Sequence, residues 1–210
     1  QHDISLRSFN GTMPFDAALL RCDQTILKLL IAEEESVFLH QISQELLKGI
    51  SYSDADVCGF SITGKNSLFP ALIASWKIKK VSRARIVFGG FFLNLMYKEL
   101  LDKFSFIDYV IRGEGELPLV NLVQHLSGKR KDMSDVPGLG YRSKRRVIAN
   151  RVWTGNRDQL SMPLYEKRIE SGYEDAYKKL FGTRYSLLPY EMSKGCNNKC
   201  YFCTAFSTPR

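Results

Sequence analysis

Hydrophobic positions along the chain repeat with two different periods, and the change of period divides it. Over residues 15–31, Ala18, Leu19, Cys22, Ile26, Leu29 and Leu30 recur every three to four positions, the spacing of one helix face. A second helix is predicted over 36–48, with Phe38, Ile42 and Leu46 on one side and Gly49 placed to end it. The pattern then alternates between short apolar runs and longer amphipathic ones. Residues 56–62 read as a buried strand and 68–80 as a helix with Leu68, Leu72 and Trp76 inward and Pro70 in its first turn. Residues 85–88 form the next strand, 93–103 a helix, 107–111 a third strand, and 117–126 a helix opened by Pro118. Three strand–helix units with short connections predict a parallel, doubly wound sheet of the Rossmann-like α/β class.

Beyond the third unit, 138–142 and 146–153 read as a β-hairpin turning at the basic run Ser143, Lys144, Arg145. A helix is predicted between about 165 and 181, and a strand over 185–192. The predicted organisation is therefore a tail (1–14), a Rossmann-like domain (15–130), a hairpin and helical linker (131–184), and a last strand with the loop that follows it (185–210).

Composition adds one boundary. Of 210 residues, 44% are hydrophobic and 25% charged, enough for a sizeable core. The net charge of +8 is uneven: residues 1–128 carry 13 basic and 14 acidic side chains, residues 129–210 carry 17 and 8. The basic half reads as a solvated surface, its charges being scattered rather than striped, and nucleic acid is disfavoured as a partner. No signal-peptide pattern opens the chain, and no apolar run nears the roughly 20 residues a membrane span needs. These features predict a cytoplasmic protein without a membrane partner.

Chemistry concentrates in two places. Each parallel strand ends in small or polar residues: Ser61, Ile62, Thr63 and Gly64 on the first, Gly89 and Gly90 on the second, Gly113, Glu114, Gly115 and Glu116 on the third. Ligands of open α/β sheets bind beyond the carboxyl ends of the strands, where glycine lets a ligand approach the backbone. The second place is Cys196-Asn197-Asn198-Lys199-Cys200-Tyr201-Phe202-Cys203, a C-x3-C-x2-C loop. Three thiolates can occupy three corners of a [4Fe–4S] cluster and leave the fourth iron open for a ligand. A zinc site would show a second C-x2-C pair, which the chain lacks. Cys22 and Cys58, single and in apolar surroundings, read as buried inert thiols.

With its aromatic Phe202 before the last cysteine, this loop resembles that of radical S-adenosylmethionine enzymes. The three strand tips, followed by Val136-Pro137-Gly138-Leu139, resemble over about residues 50–160 the cobalamin-binding domain that precedes the catalytic barrel in one group of them. The resemblance implies that Cys196, Cys200 and Cys203 ligate a [4Fe–4S] cluster. S-adenosylmethionine would bind the open iron and be cleaved to a 5′-deoxyadenosyl radical, with Phe202 near the adenine. It implies cobalamin at Ser61, Thr63, Gly89, Gly90, Gly113, Glu114, Gly115 and Glu116, and an electron donor such as flavodoxin or ferredoxin. Methylation or other modification of a small molecule or peptide would be the outcome. No catalytic side chain is assigned.

The sequence departs from the family in three ways. The Asp-x-His-x-x-Gly element is absent, and none of His2, His40 or His125 has its context. The implied site thus has no protein histidine on cobalt, is incomplete, or is lost. No first strand is recognisable before Phe15, and the chain stops seven residues after Cys203, so it is expected to be the inactive N-terminal part of a longer enzyme. Two other readings stay open: a methylthiotransferase-type enzyme, disfavoured because only Cys22 and Cys58 remain for its further cluster, and a non-catalytic Rossmann-like binding module.

Overall fold

A computed structural model describes residues 44–129, 132–144 and 146–153, together with Lys178 and Gly182. The chain divides into two compact units, Gln1–Trp153 and Thr154–Arg210. The predicted helices 15–31 and 165–181, the strand 185–192 and the cysteine loop fall wholly or almost wholly outside the described residues, as does most of the predicted helix 36–48. Of that last helix, the turn 44–47 is seen, with Leu47 buried.

Strand–helix alternation is as the periodicity predicts. In order come β1 (Val57–Ser61), α1 (Lys65–Val81), β2 (Arg85–Gly89), a 3-10 turn (Phe91–Leu95), α2 (Tyr97–Lys103), β3 (Tyr109–Ile111), α3 (Glu116–Leu126), β4 (Leu139–Ser143) and β5 (Arg146–Ala149). The five strands form one sheet in the order β1-β2-β3-β4-β5. β1, β2 and β3 are parallel, with Ser61 opposite Gly89 and Phe88 opposite Val110. The fold is thus α/β with a Rossmann-like parallel portion. The predicted hairpin is not a separate linker. β4 pairs antiparallel with β3, Ile111 opposite Leu139, so the hairpin continues the same sheet.

Because strand side chains alternate between faces, the sheet has two cores. Ile86, Phe88 and Val110 face α1 and α2, meeting Leu68, Leu72, Leu100 and Leu101. Val87, Tyr109 and Ile111 face the other way, toward Leu122 of α3, Val136 and Leu139. Burial on both faces is what a parallel sheet requires. β1 is half-buried rather than buried: Cys58 and Phe60 pack on the α1 side, while Gly59 and Ser61, on the opposite face, are exposed. Burial raises the pKa of the Cys58 thiol.

Two helices differ from their predicted form. α1 starts three residues earlier than its apolar period, at a Gly64 cap where the Ser67 hydroxyl receives the backbone N–H groups of Thr63 and Gly64 (3.2 and 3.3 Å) and donates to the Gly64 carbonyl (2.9 Å). Pro70 therefore lies inside the helix rather than in its first turn, and one helical hydrogen bond is forgone. The predicted helix 93–103 is broken at Met96 into the 3-10 turn and α2. Asn94, nearly buried in that turn, directs its carboxamide to another strand tip instead of lying on a solvated helix face.

Within Gln1–Trp153, long-range polar contacts tie the strand–helix segments together. Asp108 accepts the Ile86 N–H at 2.7 Å and pairs with Lys79 of α1 at 2.7 Å, joining β2, α1 and the approach to β3. Arg142 of β4 donates to the carbonyls of Leu101, Phe104, Ser105 and Ile107 at 2.5, 3.4, 2.9 and 2.5 Å. Its charge thereby satisfies the open end of α2 and the turn after it. Arg142→Met should lower stability by about 1.5–3 kcal/mol, read as a drop in the thermal midpoint by circular dichroism. Arg142→Lys should recover less than half of the loss, since one ammonium cannot reach four carbonyls arranged for a fork.

Candidate functional site

Parallel pairing puts the carboxyl ends of β1, β2 and β3 on one edge of the sheet, and the three predicted tips meet there. The first two are in backbone contact. The Ile62 N–H donates to the Gly89 carbonyl at 2.7 Å, and the Ile62 backbone crosses directly over Gly90. Gly90 has φ +113, and a Cβ there would sit 2.3 Å from the Ile62 carbonyl oxygen, so only glycine fits. The second and third tips are joined by the Asn94 carboxamide, whose Oδ1 accepts the Gly113 N–H at 2.9 Å. Gly113 has φ +78, and its missing Cβ makes room for Val152.

The third tip is also held from the hairpin side. The Arg112 N–H donates to Gly138 O at 3.0 Å, and its guanidinium donates to Asn150 O at 2.5 Å while lying 4.4 Å from the centre of the Tyr97 ring. Arg112 Nε is buried without a hydrogen-bond partner, and the cation–π contact offsets part of that cost. Asn150 in turn donates to Met133 O and Val136 O, both at 2.8 Å, tying the hairpin to the preceding loop.

Every predicted residue of the crevice is therefore on one rim. Ser61, Thr63, Gly115 and Glu116 are exposed there, and Gly89, Gly90, Gly113 and Glu114 are half-buried. Glu116 is the first residue of α3, where its charge also suits the helix N-terminus. The backbone N–H groups of Thr63 and Gly64 are both taken by the Ser67 hydroxyl. What the first tip offers is the exposed hydroxyls of Ser61 and Thr63.

The glycines of the rim are of two kinds. Gly90 and Gly113 are required by the chain's own backbone. Gly64 and Gly115 have ordinary conformations (φ −175 and −92), and a Cβ on either would meet nothing within 4 Å among the described residues. Nothing among those residues requires either to be glycine. A flat, broad ligand lying on the rim would need both, because it approaches the backbone where a side chain would otherwise stand. Residues that sequence reasoning passed over are Asn94, Arg112 and Asn150, whose partners are distant in sequence.

Of the histidines, His125 is half-buried in the last turn of α3; His2 and His40 lie outside the described residues. So do Cys196, Cys200, Phe202 and Cys203. Among the described residues no cluster of three or more His, Cys, Asp or Glu could hold a metal, and no helix is long and apolar enough to cross a membrane.

Residues 21–123 match the B12 binding domain family. The chain is 26% identical over 164 residues to an uncharacterized methyltransferase of Pyrococcus horikoshii, covering 77% of this chain and 34% of that protein. It is 25% identical over 122 residues to the anaerobic magnesium-protoporphyrin IX monomethyl ester cyclase of Synechocystis, covering 56% and 22%. The chain thus spans about a third or less of the length of these relatives. Among solved structures, it resembles the radical S-adenosylmethionine methyltransferase TsrM from Kitasatospora setae with cobalamin and a [4Fe–4S] cluster bound. The TM-score is 0.43 at 19% identity, over 58% of this chain and 23% of that one.

Proposed function

From the match of residues 21–123 to the B12 binding domain family, we propose that the rim formed by the three strand tips binds cobalamin, and that the chain is the N-terminal part of a radical S-adenosylmethionine enzyme. The observation that carries the cobalamin reading is the open space at Gly64 and Gly115, beside tips whose other glycines the fold itself explains. The residues present fit a corrinoid: a shallow rim of backbone, the Ser61 and Thr63 hydroxyls for its amide groups, and a rigid floor where Ile62 crosses Gly90. No histidine among the described residues stands at the tips.

Cobalamin supplies a cobalt centre for carrying a methyl group, and a cluster with S-adenosylmethionine supplies one-electron cleavage of the sulfonium. The chain's own part is placement. Ser61, Thr63 and residues 113–116 would orient the corrinoid, and Cys196, Cys200 and Cys203 would hold three irons and leave the fourth open. Phe202 would lie by the adenine. The radical so generated would act on a small molecule or peptide, with flavodoxin or ferredoxin as electron source. The three cysteines with the spacing C-x3-C-x2-C support this second half of the reading.

Incubating the chain with hydroxocobalamin and removing free ligand by gel filtration tests the first half. About one corrinoid per chain, seen by its visible spectrum, is the expected result. Protein that elutes colourless at micromolar concentration would defeat the cobalamin reading and favour a binding module of another kind.

A further inference from the structure

We propose that Asn94 is a positioning residue for the corrinoid, holding residues 113–116 of the third tip in register with the second. The inference rests on the cobalamin reading of the rim. Asn94 lies in the 3-10 turn after Gly90, is only 9% exposed, and has the wholly buried Leu93 beside it. A buried carboxamide costs free energy unless its hydrogen bonds are made, and an apolar side chain would suit such a position better. What the amide does is reach across 19 residues to accept the Gly113 N–H at 2.9 Å.

That N–H has no ladder partner, since β3 ends at Ile111. On its other side Gly113 meets Val152, whose Cγ1 stands 2.5 Å from where a Cβ would lie. The residue opening the third tip is therefore gripped between Asn94 and the hairpin. Because Gly90 is pinned under Ile62, fixing residue 113 to the turn that follows Gly90 makes the three tips one rigid unit. A broad ligand contacting all three gains from that preorganisation, since it need not order the third tip on binding.

The test compares hydroxocobalamin affinity for the unaltered chain, Asn94→Leu, Asn94→Ala and Asn94→Asp, by spectral titration. Asp keeps an acceptor oxygen where Asn94 Oδ1 stands, while Leu and Ala remove it. Asn94→Leu and Asn94→Ala should weaken binding by tenfold or more, and Asn94→Asp should remain within about threefold of the unaltered chain, a rescue that a merely space-filling role would not show. If Leu does not fold, Ala, which makes no steric demand, carries the comparison. Unaltered affinity in the folded Leu or Ala variant overturns the assignment while leaving the cobalamin reading intact. Equal weakening in all three variants overturns it as well. An unaltered chain that binds no corrinoid sinks the cobalamin reading, and this assignment with it.

Discussion

Gly90→Ala should be the most damaging single substitution at the rim, lowering stability by roughly 3–5 kcal/mol and the thermal midpoint by about 10 °C or more. Two costs add. At φ +113 and ψ 151 the backbone is in a region essentially closed to side chains, and the new methyl would stand 2.3 Å from the Ile62 carbonyl oxygen. Neither side can yield. Ile62 is 1% exposed and its N–H is bonded to Gly89, while Gly90 directly follows a β2 buried through Ile86, Val87 and Phe88. Against a total stability of about 5–15 kcal/mol, much of the variant should be insoluble on expression. Gly115→Ala is the matched control. Its φ of −92 suits any residue and its Cβ meets nothing within 4 Å, so its melting curve should overlay that of the unaltered chain within about 0.5 kcal/mol. Its corrinoid retention should nevertheless fall, because the methyl enters the space kept for the ligand. Equal stability of the two variants would refute the division of the rim into framework and ligand-facing glycines.

Substituting Cys196, Cys200 and Cys203 together by alanine should remove the iron–sulfur cluster. After anaerobic reconstitution with iron and sulfide, the unaltered chain should hold about four irons and be brown, whereas the triple variant should hold close to none. A Cys22→Ala, Cys58→Ala double variant should remain brown. The Cys58 thiol is half-buried against the α1 core and has no other cysteine among the described residues beside it. Iron and sulfide retained by the triple variant would show that the C-x3-C-x2-C loop is not the cluster site. Colourless protein holding zinc would exclude the radical S-adenosylmethionine reading altogether.

Much of the fold is legible in one dimension because burial on both faces of a parallel sheet leaves continuous apolar runs, such as Arg85–Gly89, between amphipathic helices. The strands and helices of the three units follow from that period. What escapes it depends on partners far along the chain. Arg142 reads as the last residue of a hairpin strand, yet it caps a helix end some 40 residues earlier. Arg112 reads as the charge after a strand, yet it is stacked on Tyr97 and bonded to Asn150. Asn94 reads as a polar position of a continuous helix, and its bond to Gly113 accompanies the break in that helix. Pro70 reads as a first-turn proline because the apolar period starts at Leu68, whereas the helix starts from the polar cap at Gly64 and Ser67. Joining the hairpin to the sheet is likewise a matter of register, Ile111 against Leu139, which no local pattern encodes.

By itself the sequence determined the alternation of strands and helices, the glycine-rich ends of three strands, and the spacing of three cysteines. All of these are local periods or short motifs. Only the tertiary structure decided why each glycine is there. Gly64, Gly90, Gly113 and Gly115 are alike on paper, since each merely lacks a Cβ. Gly90 and Gly113 are glycine because a backbone turned to positive φ passes against Ile62 or Val152. Among the described residues Gly64 and Gly115 have no such neighbour. The difference is set by chain segments that meet only when the sheet is assembled.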